Sequence, residues 1–279
     1  MENKQITTLC GTVETVVFTN EETGFTVLEL NTGKELISAV GEIFGAAEGE
    51  KVTLHGYFTT HPTYGSQFKA SACEHTLPAT AAAIEKYLAS GAIKGIGPIL
   101  ASRLVARFGD DTLEIMEKEP ERLVEINGIS PAKCERIAQE VSRLFGIRAT
   151  MLFLAKFHID ASTSIAVWKR WGSAAPEQIT ENPFLLCGEA IGLDFESCDS
   201  IAAQLSIPRD SSYRIRAGVL YVLRHNLTNG HTCLPYDKLL PTASALLEQG
   251  ETVVEADINA MLEEGEAELL NVSGRPYIY

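Results

Sequence analysis

Between residues 6 and 76, short apolar runs alternate with polar segments that contain Gly, Asn or Pro, a pattern typical of β-strands joined by turns. Five such strands predict a small closed barrel of the oligonucleotide-binding type. Barrels of this type bind single strands on exposed aromatic rings, and Tyr57, Tyr64 and Phe68 are candidates, although core packing explains the same rings. The predicted strands cover residues 9–18, 25–30, 36–40, 52–58 and 67–73.

From residue 80 to about residue 208 the apolar spacing becomes helical, and one short motif occurs there twice. Residues 93–98 (Ile-Lys-Gly-Ile-Gly-Pro) and residues 126–131 (Ile-Asn-Gly-Ile-Ser-Pro) are 33 positions apart. In each copy a glycine permits positive φ, and a proline suits the first turn of the following helix. A single copy fits an ordinary glycine-capped turn, but two copies in register favour a pair of helix-hairpin-helix units.

Such turns predict a grip on the backbone of a nucleic acid, because helix N-termini present free N–H groups to phosphate. Lysine and arginine side chains near both turns would add positive charge, and Arg103 and Arg136 hold equivalent places. Contacts of this kind position a nucleic acid without reading its bases. The candidate DNA-binding residues are Lys94, Gly95, Ile96, Gly97, Arg103, Arg107, Gly128, Ile129, Ser130, Lys133 and Arg136.

A weaker second copy of the two-hairpin unit follows the first. Gly109 and Gly172 are 63 residues apart, and residues 158–160 and 192–194 fall where a third and a fourth turn are expected. Asp160 and Asp194 stand where a phosphate grip would have Gly or Ser. Because an acid repels phosphate, we expect this copy to be mainly structural.

The C-terminal segment predicts a winged-helix-like domain of three helices and a terminal hairpin. The helices are expected at 213–227, 235–247 and 256–264, with a short strand at 231–234 and the hairpin at 267–279. The third helix is acidic, which favours packing or protein contact over reading a DNA groove.

Charge argues against tight binding of nucleic acid, since the chain has a net charge of −14. The charged residues are unevenly distributed, however. Residues 79–109 carry four bases and one acid, and residues 209–233 also carry four bases and one acid. Residues 1–77 carry four bases against ten acids, and residues 248–268 carry eight acids without a base. We therefore expect weak, salt-sensitive binding.

The sequence lacks recognisable catalytic chemistry. It has no phosphate-binding G-x-x-x-x-G-K-[ST] loop and no H-E-x-x-H or G-x-S-x-G motif, and its six cysteines include no C-x-x-C pair. We expect no active site, metal site or cofactor in this chain. The polar N-terminus and the lack of a long apolar run predict a cytoplasmic chain without a membrane span.

Several segments resemble the N-terminal region of RecD-like DNA helicases. They are residues 24–28 (Gly-Phe-Thr-Val-Leu), 61–68, 87–98, 181–184, 214–218 and 230–232. The resemblance implies an N-terminal barrel and tandem helix-hairpin-helix units ahead of two motor domains that use ATP and Mg²⁺ to move 5′ to 3′ on single-stranded DNA. No residue here matches the ATP or Mg²⁺ sites, and the sequence ends at Tyr279, about where a motor would begin. Ser130, His158 and Asp194 each replace an expected glycine.

We thus predict a multi-domain α+β chain: a barrel at 1–77, helix-hairpin-helix pairs at 78–146 and 147–208, and a winged-helix-like domain at 209–279. The predicted function is a non-catalytic accessory region of a helicase in DNA repair or recombination. It would bind single-stranded or junction DNA beside the motor domains of the same polypeptide, with a possible protein partner at the barrel. Two alternatives stay open: a junction-binding protein similar to RuvA, and an acidic protein-interaction scaffold.

Overall fold

The computed structural model describes residues 6–228 and 232–279, which divide into unit 1 (Met1–Ala175) and unit 2 (Pro176–Tyr279). None of the described helices is long and apolar enough to cross a bilayer. The strands are β1 Thr7–Thr19, β2 Phe25–Asn31, β3 Leu36–Glu42, β4 Lys51–His61, β5 Gly65–Thr76, β6 Leu234–Pro235, β7 Leu269–Val272 and β8 Arg275–Ile278. The helices are α1 Ala81–Ala89, α2 Pro98–Phe108, α3 Thr112–Lys118, α4 Pro131–Ala155, α5 Ala161–Trp171, α6 Ala175–Glu181, α7 Phe195–Gln204, α8 Ser212–Thr228, α9 Tyr236–Leu247 and α10 Glu251–Glu264.

Strands β1 to β5 form a closed barrel in the order β1-β2-β3-β5-β4, which confirms the predicted five-stranded architecture. The pair β3–β5 is parallel and the other pairs are antiparallel. Alternate residues point inward, since a strand has a side-chain period of two. The barrel core is apolar and contains Val13, Leu28, Leu30, Ile37, Ala39, Ile43, Val52, Leu54, Phe68 and Ala70.

Of the two interpretations of Phe68, stacking ring or core residue, the structure supports the core residue. Phe68 has no exposed surface and lies in the barrel core, so it cannot present a face to a base. In the barrel, Phe68 lies opposite Ala39 of β3 on one side and opposite Phe58 of β4 on the other. Tyr64, by contrast, is 72% exposed, and the exposed ring near Phe68 is that of Phe58.

In the rest of unit 1, helices α1 to α5 pack around one apolar core. Helix α4 is 25 residues long and supplies the central wall, with Ile137, Val141, Leu144 and Ile147 buried along one face. The predicted boundary between residues 146 and 147 falls inside this continuous helix. The proposed domain boundaries remain predictions.

A buried charged cluster joins the barrel to α4. Glu50 is fully buried, and its Oε1 lies 3.0 Å from Nη1 of Arg148, while its Oε2 lies 3.3 Å from Nδ1 of His75. Burial alone would raise the pKa of Glu50, but the contact with His75 and the charge of Arg148 outweigh it and lower that pKa. Burial lowers the pKa of His75, so the cluster at neutral pH is a carboxylate paired with a guanidinium beside a neutral imidazole.

Unit 2 contains helices α7 to α10 and a three-stranded sheet in the order β6-β8-β7. Arg214 is 4% exposed and holds the carboxylate of Asp199 through two hydrogen bonds of 2.6 and 2.9 Å. The terminal hairpin forms as predicted, and α10 begins at Glu251, five residues before the predicted start. The predicted strand at 231–234 begins at His231, which lies outside the described residues. The winged-helix assignment stays a prediction.

We expect Arg148→Met to lower the free energy of unfolding by about 3–5 kcal/mol, because it leaves the Glu50 carboxylate buried without its cation. Urea denaturation followed by circular dichroism measures this loss. The matched control is Arg143→Met on the same helix, whose guanidinium pairs with Glu140 and Glu21 nearer the surface. The control should lose no more than about 1 kcal/mol. Equal losses in the two variants would contradict a special role for the buried pair.

Candidate nucleic-acid interface

Four turns in the helical region share one backbone geometry, and each precedes a helix. We name them bend 1 (95–97), bend 2 (128–130), bend 3 (158–160) and bend 4 (192–194). The first residue of each has positive φ: Gly95 at 93°, Gly128 at 100°, His158 at 59° and Gly192 at 77°. The third residue of each is extended and serves as the N-cap of the next helix. The repeat seen in the sequence is therefore a repeat of backbone conformation.

The middle residues of bends 1 and 2 anchor both turns in a common core. Ile96 is 3% exposed and Ile129 is 5% exposed, and both belong to the apolar cluster of unit 1. Their N–H groups donate within the turn, to the carbonyls of Ile93 (3.1 Å) and Ile126 (3.0 Å). These two predicted site residues thus hold the bends in place, and their amides are already engaged.

The flanking residues of bends 1 and 2 differ, because their N–H groups remain open. No described residue accepts a hydrogen bond from the backbone N–H of Gly95 or Gly97, nor from that of Gly128 or Ser130. A Cβ atom at Gly97 would meet nothing within 4 Å, so this position has room for a side chain. In bend 2 the Ser130 hydroxyl accepts from the amide of Lys133 at 3.3 Å. Bend 1 has no side-chain cap at all.

Bends 3 and 4 are closed by carboxylates. Asp160 accepts from the amide of Thr163 at 2.8 Å, and Asp194 accepts from the amide of Ser197 at 2.7 Å. The hydrogen bond from the Ser197 amide lowers the pKa of Asp194, so this cap is ionised at neutral pH. A negative charge already occupies each helix N-terminus. This agrees with the expectation that the second copy is structural.

The cations around bend 1 have partners of their own. Nζ of Lys94 lies 2.5 Å from Oε1 of Glu21, which sits in the turn between β1 and β2. Nη2 of Arg107 lies 2.5 Å from Oε2 of Glu125. The hydrogen bond from Lys94 lowers the pKa of Glu21, so this carboxylate is ionised at neutral pH. A phosphate at bend 1 must therefore compete with a carboxylate for Lys94.

Arg103 connects bend 1 to bend 2 instead of projecting freely. Its Nη1 donates to the carbonyl oxygen of Asn127 at 2.6 Å. A Cβ atom at Gly128 would lie 3.3 Å from the same nitrogen, so a glycine there gives the guanidinium room. The structure thus brings the predicted site residues Arg103 and Gly128 together. Lys133 and Arg136 lie on the first turns of α4, where no described carboxylate is within ion-pair distance of either.

The sequence interpretation missed the acids and the carbonyl that hold these cations. Glu21 is 73 residues from Lys94, and Glu125 is 18 residues from Arg107. No spacing rule links residues that far apart, because their pairing follows from how the barrel and the helices pack. The available signal was the acidic excess of residues 1–77 together with the basic excess of residues 79–109, since opposite charges on neighbouring elements attract.

Models of known domain families match residues 6–78 and 86–233. Residues 6–78 match the OB-fold domain of the ATP-dependent DNA helicase YrrC, and residues 86–143 match a SAM-like helix-hairpin-helix tandem. Residues 143–233 match the helix-hairpin-helix domain of the ATP-dependent RecD2 DNA helicase. The chain corresponds to the N-terminal domains of RecD2-like DNA helicases. The tandem of RecD2 type accounts for bends 3 and 4, and the other tandem accounts for bends 1 and 2.

A curated relative supports the same assignment. The ATP-dependent RecD2 DNA helicase of Deinococcus radiodurans is 22% identical over 234 residues, which cover 81% of this chain. The chain spans about a third of the length of that RecD2 protein, since the match covers 32% of it. The resemblance inferred from short segments is thereby confirmed, as are the barrel and the helix-hairpin-helix regions.

The shared geometry predicts opposite effects for two substitutions. Gly128→Ala should lower the free energy of unfolding by about 1–2 kcal/mol, because a side chain at this positive φ is strained. His158→Gly should leave stability unchanged or raise it by up to about 1 kcal/mol, since the strain of a non-glycine residue is relieved there. Thermal and urea denaturation check both. A comparable loss in the two variants would show that the bends are not equivalent.

Proposed function

We propose that this chain is a non-catalytic DNA-binding region of a RecD2-like helicase, and that it grips the DNA backbone at bends 1 and 2. The open amides of Gly95 and Gly97 at the start of α2 carry the proposal. Free N–H groups at a helix N-terminus, where the helix dipole is positive, favour a phosphate. The closed bends 3 and 4 provide an internal contrast, since a carboxylate fills the same position there.

The two open bends would hold phosphate in different ways. Bend 1 offers main-chain amides with little side-chain obstruction. Bend 2 adds Lys133 and Arg136, which have no described acidic partner, beside the amides of Gly128 and Ser130. Arg103 joins the turns and so would fix the distance between two phosphate sites. Contacts of this type carry no base specificity, so binding would be general and sensitive to salt.

The chain would act as an accessory to an ATP-driven motor in the same polypeptide. The name of the D. radiodurans relative supports this, since that protein is described as an ATP-dependent DNA helicase. ATP and Mg²⁺ would then bind outside this region, and the described residues contain no cluster of His, Cys, Asp and Glu suited to a metal ion. Translocation from 5′ to 3′, a role in repair or recombination and a cytoplasmic location belong to the same proposal.

We expect Gly97→Asp to weaken DNA binding about tenfold at ~50 mM salt, because the new carboxylate would cap α2 as Asp160 and Asp194 cap their helices. Stability should be kept, since the site is clear and Asp is a favourable N-cap. Fluorescence anisotropy with a labelled single strand and a labelled duplex measures the affinity.

The matched control for this change is Gly97→Ser, which copies bend 2. It places a neutral cap at the same position, so binding should stay within about threefold of the original chain. A Gly97→Asp variant that folds and binds DNA with unchanged affinity at low salt would refute the role of bend 1.

Substitution of the acid that pairs with Lys94 should strengthen binding. We expect Glu21→Gln to raise DNA affinity about twofold to fivefold at ~50 mM salt, because a phosphate no longer competes with a carboxylate for Lys94. The gain should fade by ~200 mM salt, since the pair is exposed and screened. Anisotropy titrations at both salt concentrations measure it.

Glu22→Gln is the control for this substitution. Glu22 is the neighbouring exposed acid, and no described residue pairs with its carboxylate, so the variant removes the same formal charge without freeing Lys94. Equal gains from the two variants would mean that only the overall charge of the barrel matters, and that Glu21 does not compete at bend 1.

A further inference from the structure

Two cysteines of unit 2 lie on either side of bend 4 and meet at one backbone atom. Cys187 ends the short helical turn before the bend, and Cys198 lies on α7 after it. The Sγ atom of Cys187 lies 3.9 Å from the carbonyl oxygen of Asp194, and the backbone N–H of Cys198 donates to the same oxygen at 3.2 Å. The amide of Leu193 donates to the carbonyl of Leu186 at 3.0 Å, which ties the two segments together. The fold thus brings two free cysteines close to each other.

The two thiols differ in exposure and in acidity. Cys198 is fully buried, whereas Cys187 is partly exposed. The pKa of Cys187 lies below its ordinary value chiefly because the S–H of Cys198 donates to its sulfur, although burial opposes this effect. Among the charged groups nearby, Arg224 on α8 lowers the pKa of Cys187, while Asp194 and Asp199 on α7 raise it. Cys187 is therefore the thiol of the pair that reagents can reach and that more readily becomes a thiolate, the reactive form.

We propose that Cys187 and Cys198 are a thiol-oxidation site, at which a low-molecular-weight disulfide converts the pair into an intramolecular disulfide across bend 4. The sulfurs of a disulfide are only ~2 Å apart, so the bond forms between cysteines that the backbone already holds close. The convergence of both residues on the carbonyl of Asp194 supplies that proximity. In the cytoplasm, where most thiols are kept reduced, the dithiol would be the resting form and the disulfide would mark oxidising conditions. Bend 4 is closed by its own carboxylate, so this site is independent of the phosphate grip at bends 1 and 2.

The reaction takes two exchange steps. The Cys187 thiolate attacks one sulfur of the small disulfide, whose S–S bond breaks; a mixed disulfide forms on Cys187, and the first small thiolate leaves and takes a proton from water. Cys198 then attacks the Cys187 sulfur, and its proton goes to the second small thiolate, which leaves as a thiol. Two electrons thus pass from the protein thiols to the small disulfide, which is reduced to two thiols.

The surroundings of Cys198 suit the second of these steps. The hydrogen bond to Cys187 raises the pKa of Cys198, and burial and the charge of the Cys187 thiolate add to that effect. Both effects of Cys187 end once its sulfur is in a mixed disulfide, so Cys198 loses its proton more readily at the step in which it attacks. Burial also keeps external reagents away from Cys198, so oxidation starts at Cys187.

The test treats the folded chain with oxidised glutathione at neutral pH, alkylates the remaining thiols in denaturant and identifies disulfides by mass spectrometry. Digestion with trypsin and a glutamate-specific protease cuts after Glu189 and Glu196, between the cysteines, so the expected disulfide appears as two linked peptides. Linkage of Cys187 to Cys198 should exceed that of any other cysteine pair at least about tenfold, because the fold already holds this pair close. A folded chain that lacks this linkage, while the exposed Cys10 takes up glutathione, would overturn the proposal.

Single variants separate the roles of the two thiols. Cys198→Ser should stop the reaction after the first step, with glutathione attached to Cys187, and circular dichroism checks that this variant is folded. Cys187→Ser should leave Cys198 unmodified, because a buried thiol cannot start the exchange. The matched control is Cys10→Ser, which removes an exposed cysteine of the barrel and should leave the linkage unchanged. A folded Cys198→Ser variant without glutathione on Cys187 would overturn the assignment of Cys187 as the attacking thiol, whereas the linkage in the original chain is tested without any variant.

Discussion

Every helix start leaves backbone N–H groups without an acceptor inside the helix, and the four bends differ in what occupies that position. Aspartate closes bends 3 and 4. At bend 3 the amide of Ala161 also donates to the barrel carboxylate of Glu42, at 2.9 Å. Burial raises the pKa of Glu42, which shows that this acid is drawn partly out of water. Serine partly closes bend 2, and bend 1 has no cap. One backbone design thus gives either a capped or an open helix start, depending on the residue at the N-cap.

The net negative charge of the chain does not conflict with a DNA-binding role once the ion pairs of Lys94 with Glu21 and of Arg107 with Glu125 are considered. Glu21 and Glu125 neutralise cations next to bend 1, and such exposed pairs contribute little stability, so a phosphate can replace the acid at small cost. The result is a surface whose attraction for DNA is reduced without being removed. In the role proposed here, beside a motor that moves along DNA, the region would have to release DNA as readily as it binds it. A tight basic clamp would oppose that movement.

Local patterns in the sequence predicted the backbone well. Alternation predicted the barrel strands, and the 33-residue repeat predicted bends whose glycines do have positive φ. Even the third bend was located, although His158 holds the left-handed conformation without being glycine. That conformation is strained for a histidine, so the packing of α4 and α5 must fix it. The repeat is therefore a repeat of architecture, and the residue at the N-cap decides whether the helix start is capped or open.

The sequence did not predict which residues form ion pairs and hydrogen bonds with each other when they lie far apart along the chain. Lys94 and Arg107 were predicted to add positive charge at the bends, yet acids pair with both, and Arg103 donates to a carbonyl that no pattern marks. Phe58 and Phe68 face each other across β4 and β5, so alternation treats them alike. They differ because β3 covers Phe68, while the described part of β1 stops short of Phe58. Where a barrel closes depends on the pairing of all its strands, which single segments do not encode.

Under the proposed function, bends 1 and 2 would contact two phosphates of one polymer, and the contribution of these contacts would fall steeply as salt rises. Arg103 donates to the carbonyl of Asn127 and so links the helix that follows bend 1 to bend 2. If one strand reaches both bends, the second contact forms at the high effective concentration set by the chain between the two phosphates, and two weak sites combine into useful affinity. An acidic protein could bind DNA in this way without a strongly basic face.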